Sequence, residues 1–170
     1  NGTRLLHDIL AGTVTESSRP IASQVIGGDT LYLFAGDESV GVEPHVLRNG
    51  RVRLLRDLNP AALSFYGGDF VELVRRGRRL SVFYATAPAG RGLWGTDGTR
   101  NGTVFLASMD RRPVLRYGDR VFFVRETAAT GDELWSSDGS VAGTRLAVDL
   151  NPGPKSSSVG SLQVWRRQLV

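Results

Sequence analysis

The feature that most constrains this chain is that it repeats itself. "GTRLLHDIL" at Gly2, "RVRLLRDLNP" at Arg51, "GTVFLASMD" at Gly102 and "GTRLAVDLNPG" at Gly143 are four versions of one segment, a short alternating strand that ends in a polar turn. Leu5, Leu54, Phe105 and Leu146 fall in register, with spacings of roughly 49, 51 and 41 residues. A second set follows: "GGDTLYLFAGD" from Gly27, "RGRRLSVFYAT" from Arg76 and "YGDRVFFVRET" from Tyr117 each join a turn to an apolar run. "WRRQLV" at the end has the same beginning. "GVEPHVLRNG", "GRGLWGTDGTRNGT" and "GDELWSSDGSVAGT" close the units.

Each unit therefore reads as four short strands, a to d. Strand a ends at the Asp turn, b precedes the second turn, c is the apolar run, and d carries His45, Trp94 or Trp135. Four strands in 40 to 50 residues is the size of a propeller blade. The runs "LYLF" and "VFFV" are apolar without alternation, which predicts strands buried on both faces, as between stacked sheets. The expectation is an all-β, β-propeller-like repeat of four-stranded blades, about three and a half units: 2–49, 50–101, 102–142 and an incomplete 143–170. A β-trefoil has repeats of similar size and is the alternative, but it closes with three, and here a fourth begins at Gly143.

Those closing motifs resemble the ELWxxDGT repeat family, found in large bacterial proteins, many with export signals. "ELWSSDGSVAGT" matches nearly in full, with Ser140 where the family has Thr; "GLWGTDGTRNGT" has Gly92 in place of Glu; "EPHVLRNG" has His45 for Trp and a shortened turn. The resemblance implies a β-propeller-like protein that is secreted or on the bacterial cell surface. The family carries no agreed enzymatic activity, so it transfers no catalytic residue.

The Asp-Gly stretches invite two readings. As joints, Asp97-Gly98 and Asp138-Gly139 make tight turns, because Asp bonds local backbone and Gly tolerates positive φ. As calcium loops they would need about six oxygen ligands, and each offers one carboxylate plus hydroxyls and carbonyls. The joint is the expected role, no metal or other cofactor is expected, and Asp97 and Asp138 are the calcium candidates if that expectation fails. The shortened "RNGR" at Arg48 to Arg51 supports the joint, since an Asn-Gly hairpin replaces the whole loop while the repeat continues. Trp94 and Trp135 recur at one position and are expected in the core rather than on a sugar-stacking surface. Asp8, Asp57 and Asp149 recur at the end of strand a, where a carboxylate caps the following turn; Ser108 stands there in the third version. His7 and His45 occupy different repeat positions and form no metal-ligand spacing. The sequons at Asn1 and Asn101 lie inside the Gly-Thr joint and are read as coincidence.

Charge supplies the one candidate surface. The b-to-c turns hold Arg75, Arg76, Arg78 and Arg79, then Arg116 and Arg120, then Arg166 and Arg167, and repeat geometry gathers them on one side. They form a candidate docking face for an acidic glycan or acidic protein. The net charge of +4 is too mild to indicate nucleic acid, and arginine is common throughout, with Lys155 the single lysine. Zero cysteines exclude disulfides and thiolate chemistry. No apolar run approaches the roughly 18 to 20 residues of a membrane helix, so no transmembrane segment is expected.

The functional expectation is a non-enzymatic extracytoplasmic scaffold or binding module. The alternative is a glycan-processing propeller enzyme of sialidase or lyase type, which would need paired carboxylates or an Arg cluster with an acid in one pocket; the repeats display no such pair. A stack of blades that starts at "NGT" and stops at "WRRQLV" predicts ends covered by further repeats, by another polypeptide or by self-association through blade edges.

Overall fold

The computed structural model describes residues 2–3, 5, 21–26, 29–37, 41–60, 67–88, 90–110 and 113–170, with the side chains of 21–26 and 37 outside the description. The described residues are all-β: three four-stranded antiparallel sheets and one two-stranded hairpin, none of them closed. The first sheet contains β1 (Ile21–Ile26), β2 (Thr30–Asp37), β3 (Gly41–Arg48) and β4 (Arg51–Leu54) in that order. The second contains β5 (Val71–Arg75), β6 (Arg78–Ala87), β7 (Gly90–Thr96) and β8 (Val104–Ser108). The third contains β9 (Leu115–Tyr117), β10 (Arg120–Thr127), β11 (Gly131–Ser137) and β12 (Arg145–Val148). β13 (Val164–Trp165) and β14 (Gln168–Leu169) form the hairpin.

The sheets straddle the sequence units by one strand. Strand a of each unit, represented by β4, β8 and β12, is the fourth strand of the preceding sheet, paired with β3, β7 and β11. Short connections explain this grouping, because antiparallel neighbours can be joined by a tight turn and the d-to-a link is such a turn. In the first sheet it is Asn49-Gly50, with φ of 52° and 71°, the left-handed pair that matches strand twist. In the second and third sheets it is the longer Asp-Gly loop, and both carry a register shift at the same place, Leu93/Trp94 and Leu134/Trp135.

The middle sheet is buried on both faces. Phe83, Ala85 and Trp94 pack with Tyr32, Phe34, Val46, Leu55 and Phe70 on one side. Leu73, Val82, Tyr84 and Leu93 pack with Leu106, Val121 and Phe123 on the other. Alternate residues of β6 thus feed two separate cores, which is why its run has no polar face. Phe70 is the hinge of the first core, stacked on Phe34 at 4.8 Å and tilted against Phe83 at 5.0 Å. Each such side chain contributes about 1.5–3 kcal/mol through its burial.

Candidate functional site

The Asp-Gly loops are two copies of one hydrogen-bonded network. In the loop from β7 to β8, Asp97 Oδ1 accepts from Thr99 N at 3.0 Å and from Thr99 Oγ1 at 2.7 Å. Gly102 N donates to Thr99 Oγ1 at 2.9 Å, and Thr103 Oγ1 donates to Thr99 O at 2.7 Å. In the loop from β11 to β12, Asp138 Oδ1 accepts from Ser140 N at 3.0 Å and Ser140 Oγ at 2.6 Å. Gly143 N donates to Ser140 Oγ at 3.1 Å and Thr144 Oγ1 to Ser140 O at 2.7 Å. Thr96 and Ser137 complete the set by accepting from Gly98 N and Gly139 N. Serine or threonine serves wherever only a hydroxyl is needed.

Space also dictates the glycine of each Gly-Thr pair. A Cβ on Gly102 would lie 1.9 Å from Asp97 Oδ1, and one on Gly143 would lie 1.9 Å from Asp138 Oδ1. The carboxylate occupies the volume a side chain would take. Each loop then docks on the preceding sheet: a Cβ on Gly139 would meet Leu80 and Leu73, and one on Gly98 would meet the Tyr32 hydroxyl. The Gly139 carbonyl runs so close to β7 that a Cβ on Gly95 would come within 2.5 Å of it. The loops act as joints between sheets, with Asp97 and Asp138 as their internal acceptors. Burial opposes ionisation of Asp138, but the Ser140 hydroxyl and amide, with Arg75 and Arg120, outweigh it and hold the carboxyl below the usual carboxylate range.

The motif's glutamate carries a contact that the sequence did not reveal. Glu43 is buried and accepts from Leu58 N at 2.8 Å and Asn59 N at 3.3 Å; Glu133, equally buried, accepts from Leu150 N at 2.8 Å and Asn151 N at 3.3 Å. Both carboxylates therefore hold the Asp-Leu-Asn-Pro turn that follows strand a. Where Gly92 replaces the glutamate, that turn is also gone: "SMDR" stands at 108–111, and Met109 N donates to Arg91 O instead. A pairing of two positions within the repeats was the readable signal. Burial pushes the Glu43 carboxyl up to about 7, with Asp57 adding to the rise against the two amide donors.

The other candidates separate by position. Asp57 Oδ1 caps Asn59 N at 3.2 Å, whereas Asp149 Oδ1 is buried with no hydrogen-bond partner among the described residues. His7 and Asp8 lie outside the described residues. His45 is buried with Nδ1 2.8 Å from Glu43 O. Trp94 is buried, edge-on to Phe105 at 5.3 Å; Trp135 is half-buried under the Arg125 guanidinium at 4.3 Å. Thr103 of the Asn101 sequon is fully buried. No group of three His, Asp or Glu among the described residues is arranged to hold a metal ion.

The arginines divide into two groups. Arg75 pairs with Asp138 at 2.8 Å, Arg78 approaches Asp97 at 3.5 Å, and Arg79 pairs with Glu72. Arg75, Arg78, Asp97 and Ser140 rim a cavity of about 220 Å³. Arg120 is spent on Ser136 Oγ and Gly143 O. Arg76, Arg116, Arg166 and Arg167 form no ion pair among the described residues, and only the second of them has a side-chain hydrogen bond, to Gly118 O at 3.4 Å. On the opposite edge, Asp110, Glu126 and Asp132 converge with Arg91 around a cleft of about 340 Å³. A larger cavity, about 450 Å³ between Val82, Tyr84, Leu93 and Val114, has Asp69 as the one carboxyl among its described lining residues. Among the described residues no helix is long and apolar enough to cross a membrane. No protein-family model matches the chain, and neither a curated protein nor a solved structure matches it.

Proposed function

We propose that the chain is a non-enzymatic scaffold and binding module, built of β-propeller-like repeats and working outside the bacterial cytoplasm, that presents its b-to-c hairpin ends to an acidic partner. The observation that supports this reading is where the repeated polar residues go. Glu43, Glu133, Asp97 and Asp138 are each committed to backbone donors of the repeat itself. The motif is joinery, and the chemistry left at the surface is guanidinium. The propeller-like assembly is supported by four-stranded sheets that recur along the chain and by loops that dock each sheet on the one before it. The bacterial, exported setting rests on the resemblance to ELWxxDGT repeats.

Among the described residues, the enzyme alternative fits the cleft where Asp110, Glu126 and Asp132 meet Arg91. A uronate polymer separates the two. Saturable binding with no new reducing ends supports the module; turnover that disappears with Glu126→Gln would replace it with a glycan-processing enzyme.

A further inference from the structure

Two hairpin ends come together where the third sheet meets the last hairpin. The Tyr117 hydroxyl donates to the Arg167 carbonyl at 2.6 Å, so β9–β10 and β13–β14 present one surface. Trp165 on it is 56% exposed and Tyr117 37% exposed. The Arg166 guanidinium lies over the Trp165 ring, 4.4 Å from its centroid. Arg116, Arg166 and Arg167 have no ion pair among the described residues, while Arg75, Arg78 and Arg79 of the neighbouring hairpin face Asp138, Asp97 and Glu72. The exposed acid close by is Asp119, at the tip of the β9–β10 turn.

The turn itself argues that these side chains are wanted. Arg166 and Arg167 both hold positive φ, 47° and 64°, in a two-residue turn where Asn-Gly is the strain-free choice. The chain makes that choice at Asn49-Gly50, with φ of 52° and 71°. Left-handed backbone under two long side chains is retained where the side chains serve a purpose.

We infer that Arg116, Tyr117, Trp165, Arg166 and Arg167 form a binding site for a polysaccharide bearing carboxylates, a uronate polymer. This rests on the binding-module reading above and names its ligand class and its location. The exposed indole offers an apolar platform for the C–H face of a sugar ring, and guanidinium groups beside it match carboxylates in bidentate geometry. A single-stranded nucleic acid fits less well. It calls for a basic groove that tracks about 4–16 nucleotides with aromatic rings along its length, and among the described residues the exposed rings are Tyr117 and Trp165 of this one surface.

The test measures polygalacturonate binding by isothermal titration calorimetry, whose signal does not depend on the indole being replaced, with dextran and an oligo-dT strand as comparisons at one salt concentration. The wild-type chain should bind the uronate polymer saturably and dextran not at all. Trp165→Ala should weaken binding at least tenfold. Arg166→Asn with Arg167→Gly copies the relaxed turn of Asn49-Gly50, so it should raise the melting temperature and still lose at least tenfold in affinity. Arg145→Ser, at an exposed arginine of β12 outside the hairpin ends, should change affinity less than twofold. If the wild-type chain binds and Trp165→Ala binds equally, the site assignment falls and the module reading stands. Tighter binding of oligo-dT than of the uronate polymer overturns the ligand class. No binding to either polymer overturns the module reading and the site with it.

Discussion

Replacing Gly143 by alanine tests the account of the Asp-Gly loop most directly. The new Cβ would sit 1.9 Å from Asp138 Oδ1, 2.2 Å from Cγ and 2.4 Å from Oδ2, so the carboxylate must leave its place. Leaving it forfeits the bonds from Ser140 N and Ser140 Oγ, each to a charged acceptor and worth about 1.5–3 kcal/mol when buried. It also loosens the Arg75 pair, whose guanidinium is 38% exposed and which adds at most about 1 kcal/mol. Allowing for the solvent that reaches Asp138, the expected cost is about 3 kcal/mol. Asp138→Ala loses the same bonds and should cost nearly as much. The double variant has neither clash nor carboxylate, so it should cost about 3 rather than about 6 kcal/mol, a coupling far above the few tenths expected of independent sites. Urea unfolding of the four proteins measures the cycle. Costs that add to within about 0.5 kcal/mol would refute the idea that Gly143 exists to make room for Asp138.

Two further outcomes are expected. The Glu43 carboxyl titrates near 7 in the folded chain against an ordinary 4.5, so the folded state holds a proton that the unfolded state releases between those values. Its contribution to stability is complete below pH 4.5 and is lost as pH rises through 7, about 3 kcal/mol in all; Glu43→Gln should gain on the wild-type chain between pH 4.5 and 8, and an equal difference at both ends would show that burial does not govern this group. Because Asp97 and Asp138 are internal acceptors of their loops, a chelator or millimolar calcium should leave the melting temperature where it was, and a chelator-induced drop of several degrees would make both residues ligands.

Much of the architecture was legible because it is local. Asp97-Gly98, Asp138-Gly139 and Asn49-Gly50 read as turns from their own chemistry, and the unbroken apolar runs "LYLF" and "VFFV" announced strands covered on both faces, where Tyr32, Leu33 and Phe34 and then Val121, Phe123 and Val124 are buried. Repetition multiplied each signal. What the repeat could not reveal was its own phase: a periodic pattern cut anywhere has the same period, and the assignment of β4, β8 and β12 to the preceding sheets is decided by hydrogen bonding. The roles of Glu43 and Glu133 depend on partners 15 and 17 residues away, beyond the reach of any turn rule. The hairpin surface around Trp165 depends on partners farther apart still, since the Tyr117–Arg167 bond spans 50 residues. Turn residues and hydrophobic runs act on their immediate neighbours and so can be read along the chain. Sheet partners, carboxylate struts and a shared hairpin surface arise only when segments far apart are packed together, and that the tertiary structure alone decided.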